Sequence, residues 1–166
     1  MKFTVSTTLF ILLTACAGLS LQAQSRVPVV KFDWYESLRQ KPDDTLRIVN
    51  FWATWCIPCV EELPHFEAVR EKYRDRPLKV ILISLDFVKN LEKTLVPFLR
   101  KRGIKSEVVL LNEPDYNAWI DKVHPSWSGA LPATVFMRNS EKQYRFAEKD
   151  FTFAELDSVI KTLLPR

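Results

Sequence analysis

Residues 47–59 read Arg47-Ile48-Val49-Asn50-Phe51-Trp52-Ala53-Thr54-Trp55-Cys56-Ile57-Pro58-Cys59, and their order decides the fold. The first six read as a buried strand. From Cys56 to Tyr73 the pattern becomes helical, with Val60, Leu63, Phe66, Ala68 and Val69 expected to face inward. A Cys-x-x-Cys pair set between a strand and a helix is an arrangement for thiol redox chemistry. Cys56 falls at the helix N-terminus, where unpaired N–H groups and the helix dipole stabilise a thiolate. Cys59, one turn further on, can reach back and close the ring. In that scheme Cys56 attacks a substrate disulfide and Cys59, the more buried of the two, resolves the mixed disulfide.

Working outward, Val27 to Phe32 reads as a strand, which Pro28 confines to a sheet edge. Asp33-Trp34-Tyr35-Glu36 matches a capping box and predicts a helix to about Gln40. Leu78 to Leu85 is nearly all apolar, as a central parallel strand covered on both faces should be. A helix then ends at Gly103 behind Arg100, Lys101 and Arg102, and Pro97 starts or kinks it. Glu107 to Leu111 predicts a strand, and Asp115 is placed to cap a short helix through Val123. Thr134 to Met137 and Gln143 to Ala147 suggest a hairpin around Asn139-Ser140. Thr152-Phe153-Ala154-Glu155 is a second capping box, opening a last helix to about Leu164. Strands alternating with helices predict an α/β fold, a central, mostly parallel sheet flanked by helices, with an antiparallel closing edge.

The whole chain has 166 residues, 47% hydrophobic and 27% charged, which fits one globular domain. It contains only three glycines, Gly18, Gly103 and Gly129, far apart, which excludes the glycine-rich loops that cradle phosphates. The net charge of +4 is spread among interleaved acids, so it reads as a solvated surface and not as a nucleic-acid footprint. Lys2, the apolar run through Leu13 and the small residues ending at Ala23 form the pattern of an export signal. Cleavage after Ala23 would leave a single domain, residues 24–166. Leu13-Thr14-Ala15-Cys16 also fits a bacterial lipoprotein signal, with Cys16 lipidated, and an uncleaved anchor is a third option. All three place the folded part outside the cytoplasm. Apart from Cys16 the only cysteines are Cys56 and Cys59, whose loop is too short to restrain an unfolded chain. Zinc would need two further ligands, and neither His65 nor His124 stands at a familiar spacing, which leaves acidic side chains as the residues that could complete a site.

Phe51-Trp52-Ala53-Thr54-Trp55-Cys56-Ile57-Pro58-Cys59 resembles the active site of thioredoxin-fold proteins, in particular exported thiol–disulfide reductases of the TlpA/ResA type. Pro64 stands where that family kinks its helix, and Trp127-Ser128-Gly129-Ala130-Leu131-Pro132-Ala133-Thr134 resembles the loop with its cis-proline, which would be Pro132. Roughly 45 residues separate the central strand from Pro132, room for the helix–strand–helix insertion of that branch. The resemblance implies a dithiol of Cys56 and Cys59, no bound cofactor, a groove formed by Pro132 and the backbone of Leu131, and supporting roles for Trp55 and Pro58. It also implies protein disulfides as substrates, apocytochrome c among them, and a membrane electron donor of the DsbD/CcdA kind. The match departs from thioredoxin at Asn50 and Leu82, where a buried aspartate and its lysine partner are expected. Glu62 and Asp86 are the candidates for the missing proton acceptor. For each the plainer reading is preferred: a solvated helix face for Glu62, a turn or cap for Asp86.

Ile57-Pro58 offers no donor to stabilise a thiolate strongly, so the pair is expected to reduce. An oxidase or isomerase is one rival. A thiol peroxidase is another, but Val49 and Ala53 occupy the positions where the peroxidatic pattern Pro-x-x-x-Thr-x-x-Cys has Pro and Thr. A non-catalytic binding module using the proline groove is the third. Trp52 reads as core, as do Trp34, Trp119 and Trp127, whereas Trp55 is placed to shield the thiols and meet a partner.

Overall fold

The computed structural model describes residues 26–164, so the proposed export signal lies outside the described residues. In chain order the elements are β1 (Val29–Val30), α1 (Phe32–Gln40), β2 (Leu46–Trp52), α2 (Ile57–Lys72), β3 (Leu78–Ser84) and α3 (Val96–Arg102). They continue with β4 (Glu107–Leu111), α4 (Ile120–Val123), β5 (Ala133–Arg138), β6 (Gln143–Ala147) and α5 (Phe153–Leu163). The six strands form one sheet in the order β1-β4-β3-β2-β5-β6. Pairings from β1 to β2 are parallel, and β5 and β6 add antiparallel neighbours.

Every residue of β2 is buried, because its alternating side chains enter two separate cores. Leu46, Ile48 and Trp52 pack with Leu63 and Phe66 of α2 and Leu156 and Ile160 of α5. Val49 and Phe51 pack on the other face with Phe32 and Tyr35 of α1, and with Trp119 and Trp127. Trp119, Trp127 and Phe51 lie with ring centroids 4.9–6.0 Å apart, so these two tryptophans are core, as expected. Asn50 is on the α2 face, in register with Leu82 on β3 and Thr134 on β5.

Several expected boundaries shift for physical reasons. The first strand shrinks to two residues at the edge, with Pro28 only accepting, from the Leu110 N–H at 2.9 Å. Phe32, expected in that strand, opens α1 instead, because Phe32, Tyr35 and Leu38 form its buried stripe. The capping box at Asp33 does not form: Lys31 is the N-cap without a side-chain bond, and Asp33 lies in the first turn. Asp115 likewise makes no side-chain cap; a 3-10 turn over Tyr116–Ala118 precedes α4. Ala68 of α2 is exposed, not inward, since the stripe runs through Phe66 and Val69. The helix before Gly103 starts as a 3-10 turn and a wide π turn, Leu91–Leu95, and becomes α-helical only beside Pro97. Gly103 ends it in the left-handed conformation at φ 65°, and the Thr152–Glu155 capping box forms as expected.

Candidate active site

The loop between β2 and α2 carries Cys56, and the first turn of α2 carries Cys59, at the carboxyl end of β2. Two anchors hold it. The Cys56 N–H donates to the Ala53 carbonyl at 3.1 Å. Thr54 donates its N–H and its hydroxyl to the two oxygens of Asp86, at 3.1 and 2.6 Å. Asp86 is buried just beyond β3 and also accepts from the Ser84 hydroxyl at 2.8 Å. It therefore serves as a cap, the plainer of its two readings, and its oxygens are taken up by the loop.

Cys56 is the N-cap of α2, and its sulfur accepts from the Cys59 N–H at 3.4 Å. Pro58 sits in the first turn, where its missing N–H leaves no bond unmade. The cysteines are joined in a disulfide, with their Cα atoms 5.3 Å apart. Cys59 is fully buried and Cys56 retains 7% exposure, the order the helix geometry dictates. Trp55 and Ile57 are 61% and 72% exposed, so Cys56 has an exposed apolar neighbour on either side in the chain. Phe87 and Val88 are exposed immediately after Asp86.

Leu131–Pro132 is a cis peptide bond. Ala133, the first residue of β5, pairs with Phe51, so the antiparallel register sets Pro132 beside the end of β2 that leads into the motif. Leu131 is half-buried and Trp127 fixes the loop from within, its indole N–H donating to the Ala130 carbonyl at 2.9 Å.

Glu62 overturns its plainer reading. It is 2% exposed, on the stripe of α2 that also carries Cys59, one turn earlier. Its Oε1 accepts from the Asn50 amide at 2.8 Å, and its Oε2 accepts from the Phe151 N–H at 2.8 Å. The Asn50 amide also donates to Thr134 Oγ1 at 3.1 Å, while Asn50 Oδ1 is buried without a partner. Burial pushes the Glu62 carboxyl up to about 7, against the pull of the Phe151 and Asn50 hydrogen bonds. A carboxyl poised there exchanges a proton readily near neutrality. Thr134 and Phe151 escaped the sequence reading because their contacts to this network span 84 and 89 residues. Glu148, also missed, binds the proline loop across 18–20 residues.

The model of the AhpC/TSA family matches residues 37–142, and the chain belongs to that family. Among curated proteins, a thiol-disulfide oxidoreductase ResA of Oceanobacillus iheyensis is 23% identical over 119 residues, which are 72% of this chain and 57% of that protein. A thioredoxin-like protein, YneN, of Bacillus subtilis is 30% identical over 78 residues, 40% of this chain and 45% of that one. The chain thus spans about half the length of these curated relatives. Two solved structures share the fold. A thioredoxin-related protein from Neisseria meningitidis serogroup B superposes with a TM-score of 0.63 at 22% identity, over 75% of this chain and 88% of that one. A putative thiol:disulfide interchange protein DsbE from Chlorobium tepidum gives a TM-score of 0.58 at 18% identity, over 76% and 84%. The fold is the thioredoxin fold.

Proposed function

We propose that this protein is an exported thiol–disulfide oxidoreductase that reduces protein disulfides with the Cys56–Cys59 dithiol. One observation carries the reading: the cysteine that retains exposure is the N-cap of α2, and a cis-proline loop lies in register beside it. In the reduced protein the Cys56 thiolate attacks one sulfur of a substrate disulfide and expels the other as a thiolate. Cys59 loses its proton to Glu62, attacks Cys56 in the mixed disulfide and releases the second substrate thiol. The substrate gains two electrons and the protein is left with the disulfide seen here. The curated ResA relatives carry the thiol–disulfide name, which supports the class.

The reducing direction rests on Ile57-Pro58, which place no donor beside Cys56. Export rests on the pattern of residues 1–23, as a cleaved domain or one lipid-anchored at Cys16. No helix among the described residues is long and apolar enough to cross a membrane. An exported reductant needs recharging from the membrane, which supports a donor of the DsbD/CcdA kind and apocytochrome c among the acceptors. The test is the reduction potential of the pair in thiol/disulfide buffers. A value near roughly −270 mV supports the reductase, and one near roughly −120 mV makes it an oxidant and overturns the direction. Peroxide consumption no faster than that of a free thiol is expected; a fast rate lost in C56S would establish a peroxidase instead.

A further inference from the structure

Trp127 and Leu131 pack the cis-proline loop against the core, but Ser128, Gly129 and Ala130 between them are exposed, and that stretch must hold a fixed edge if an extended peptide is to pair beside it. Its anchor comes from the far side of the sequence. Glu148, just past the end of β6, turns its carboxylate onto the loop. One oxygen accepts from the Ser128 N–H at 3.0 Å. The other accepts from the Ala130 N–H at 3.0 Å and makes a short contact with the Ser128 hydroxyl. Three donors within three residues converge on one half-buried side chain, and they immediately precede Leu131-Pro132.

Burial opposes ionisation of Glu148, but the bonds from Ser128 and Ala130 outweigh it and hold the carboxyl below its usual range. The anion is therefore the bonded form. The connection that carries Glu148 is itself fastened. Three residues on, the Phe151 N–H binds Glu62, and Lys149 pairs with Glu155, whose carboxylate closes the Thr152 capping box. The stretch 148–151 thus ties the proline loop at one end and the buried carboxyl beneath the dithiol at the other.

We propose that Glu148 is a positioning residue that sets the Ser128–Leu131 backbone for an extended protein substrate, so that it governs the use of protein disulfides over small ones. The inference rests on the thiol–disulfide reading. The geometry requires it to act through the loop and not on the sulfurs, because its polar contacts are to Ser128 and Ala130 and none is to the cysteines.

The test compares wild type, E148A and E148Q with insulin and with a small aromatic disulfide, dithiothreitol supplying the electrons, alongside the potential of the Cys56–Cys59 pair and amide exchange at Ser128 and Ala130. In E148A the ratio of kcat/KM for insulin to that for the small disulfide should fall about tenfold, through KM. Amide exchange at both residues should quicken and the potential should hold. E148Q keeps one carbonyl acceptor at the same reach and should recover part of the ratio. An unchanged ratio in an active E148A overturns the inference while leaving the oxidoreductase standing. So does a shifted potential with both substrates slowed alike, which would place Glu148 in control of the dithiol. A wild type that reduces neither disulfide overturns the oxidoreductase reading and this inference with it.

Discussion

Glu62 should make this protein less stable as the pH rises through neutrality, and the E62Q substitution should remove the effect. The carboxyl titrates at an ordinary 4.5 in an unfolded chain and at about 7 in the folded one, burial being the main cause. Below about pH 4.5 both states hold the proton and the group contributes no slope. Between about 4.5 and 7 the unfolded chain releases its proton while the folded one keeps it, so the unfolded state gains. At 1.36 kcal/mol per pH unit, the loss over that window is about 3 kcal/mol, complete by roughly pH 8. Asp157 and Glu155, whose carboxyls are held low mainly by hydrogen bonds from Lys161 and Lys149, give the opposite slope, but only below about pH 4.5. The two contributions therefore separate on the pH axis. E62Q cannot ionise; with its oxygen accepting from the Phe151 N–H, its amide donates to Asn50 Oδ1 once the Asn50 side-chain amide turns over, since it is Asn50 Nδ2 that faces this position in the wild type. It should be within about 1 kcal/mol of wild type near pH 5 and more stable by about 2 kcal/mol near pH 8. Urea denaturation of the oxidised domain across that range measures both curves. Parallel curves for the two proteins would refute the argument, because Glu62 would then not change its charge there.

The remaining predictions are local. C56S should lower disulfide turnover more than about a thousandfold, and C59S should accumulate a mixed disulfide visible by mass; turnover retained in C56S would exclude the dithiol. D86A strands the Thr54 N–H and two hydroxyls and should destabilise by about 3 kcal/mol in denaturant melts, with D86N recovering part; a loss below about 1 kcal/mol would deny it the anchoring role. G103A meets no steric obstacle but must adopt φ 65°, so its cost should be about 1 kcal/mol; a neutral result would mean that the helix end relaxes elsewhere.

What could be read from the sequence follows how far each interaction reaches. Cys56 at an N-cap, Gly103 at a C-cap and the Thr152 box each need only a few neighbouring residues, and each is where its pattern placed it. Pattern failed where a local motif competed with burial. The box at Asp33 yielded to the Phe32–Tyr35–Leu38 stripe, and Ala68 was counted inward although the step from Phe66 to Val69 leaves it outside. For Glu62 the signal existed and was outweighed by its charge. Cys59, Glu62, Phe66 and Val69 form one stripe at helical spacing, which marks position 62 as inward. What a helical stripe cannot supply is the partner that makes a buried carboxyl tolerable. That partner is Asn50 on β2, together with the Phe151 N–H, reached only when β2, α2 and the α5 connection meet. The exchange at Asn50 and Leu82 then becomes intelligible: without a buried aspartate and lysine pair, the sheet offers α2 an amide. Stability alone would favour a leucine or glutamine at position 62, since the carboxyl weakens the fold above neutral pH. A buried acid that lowers stability, one helical turn from a buried sulfur, is what the proton acceptor proposed for Cys59 would look like.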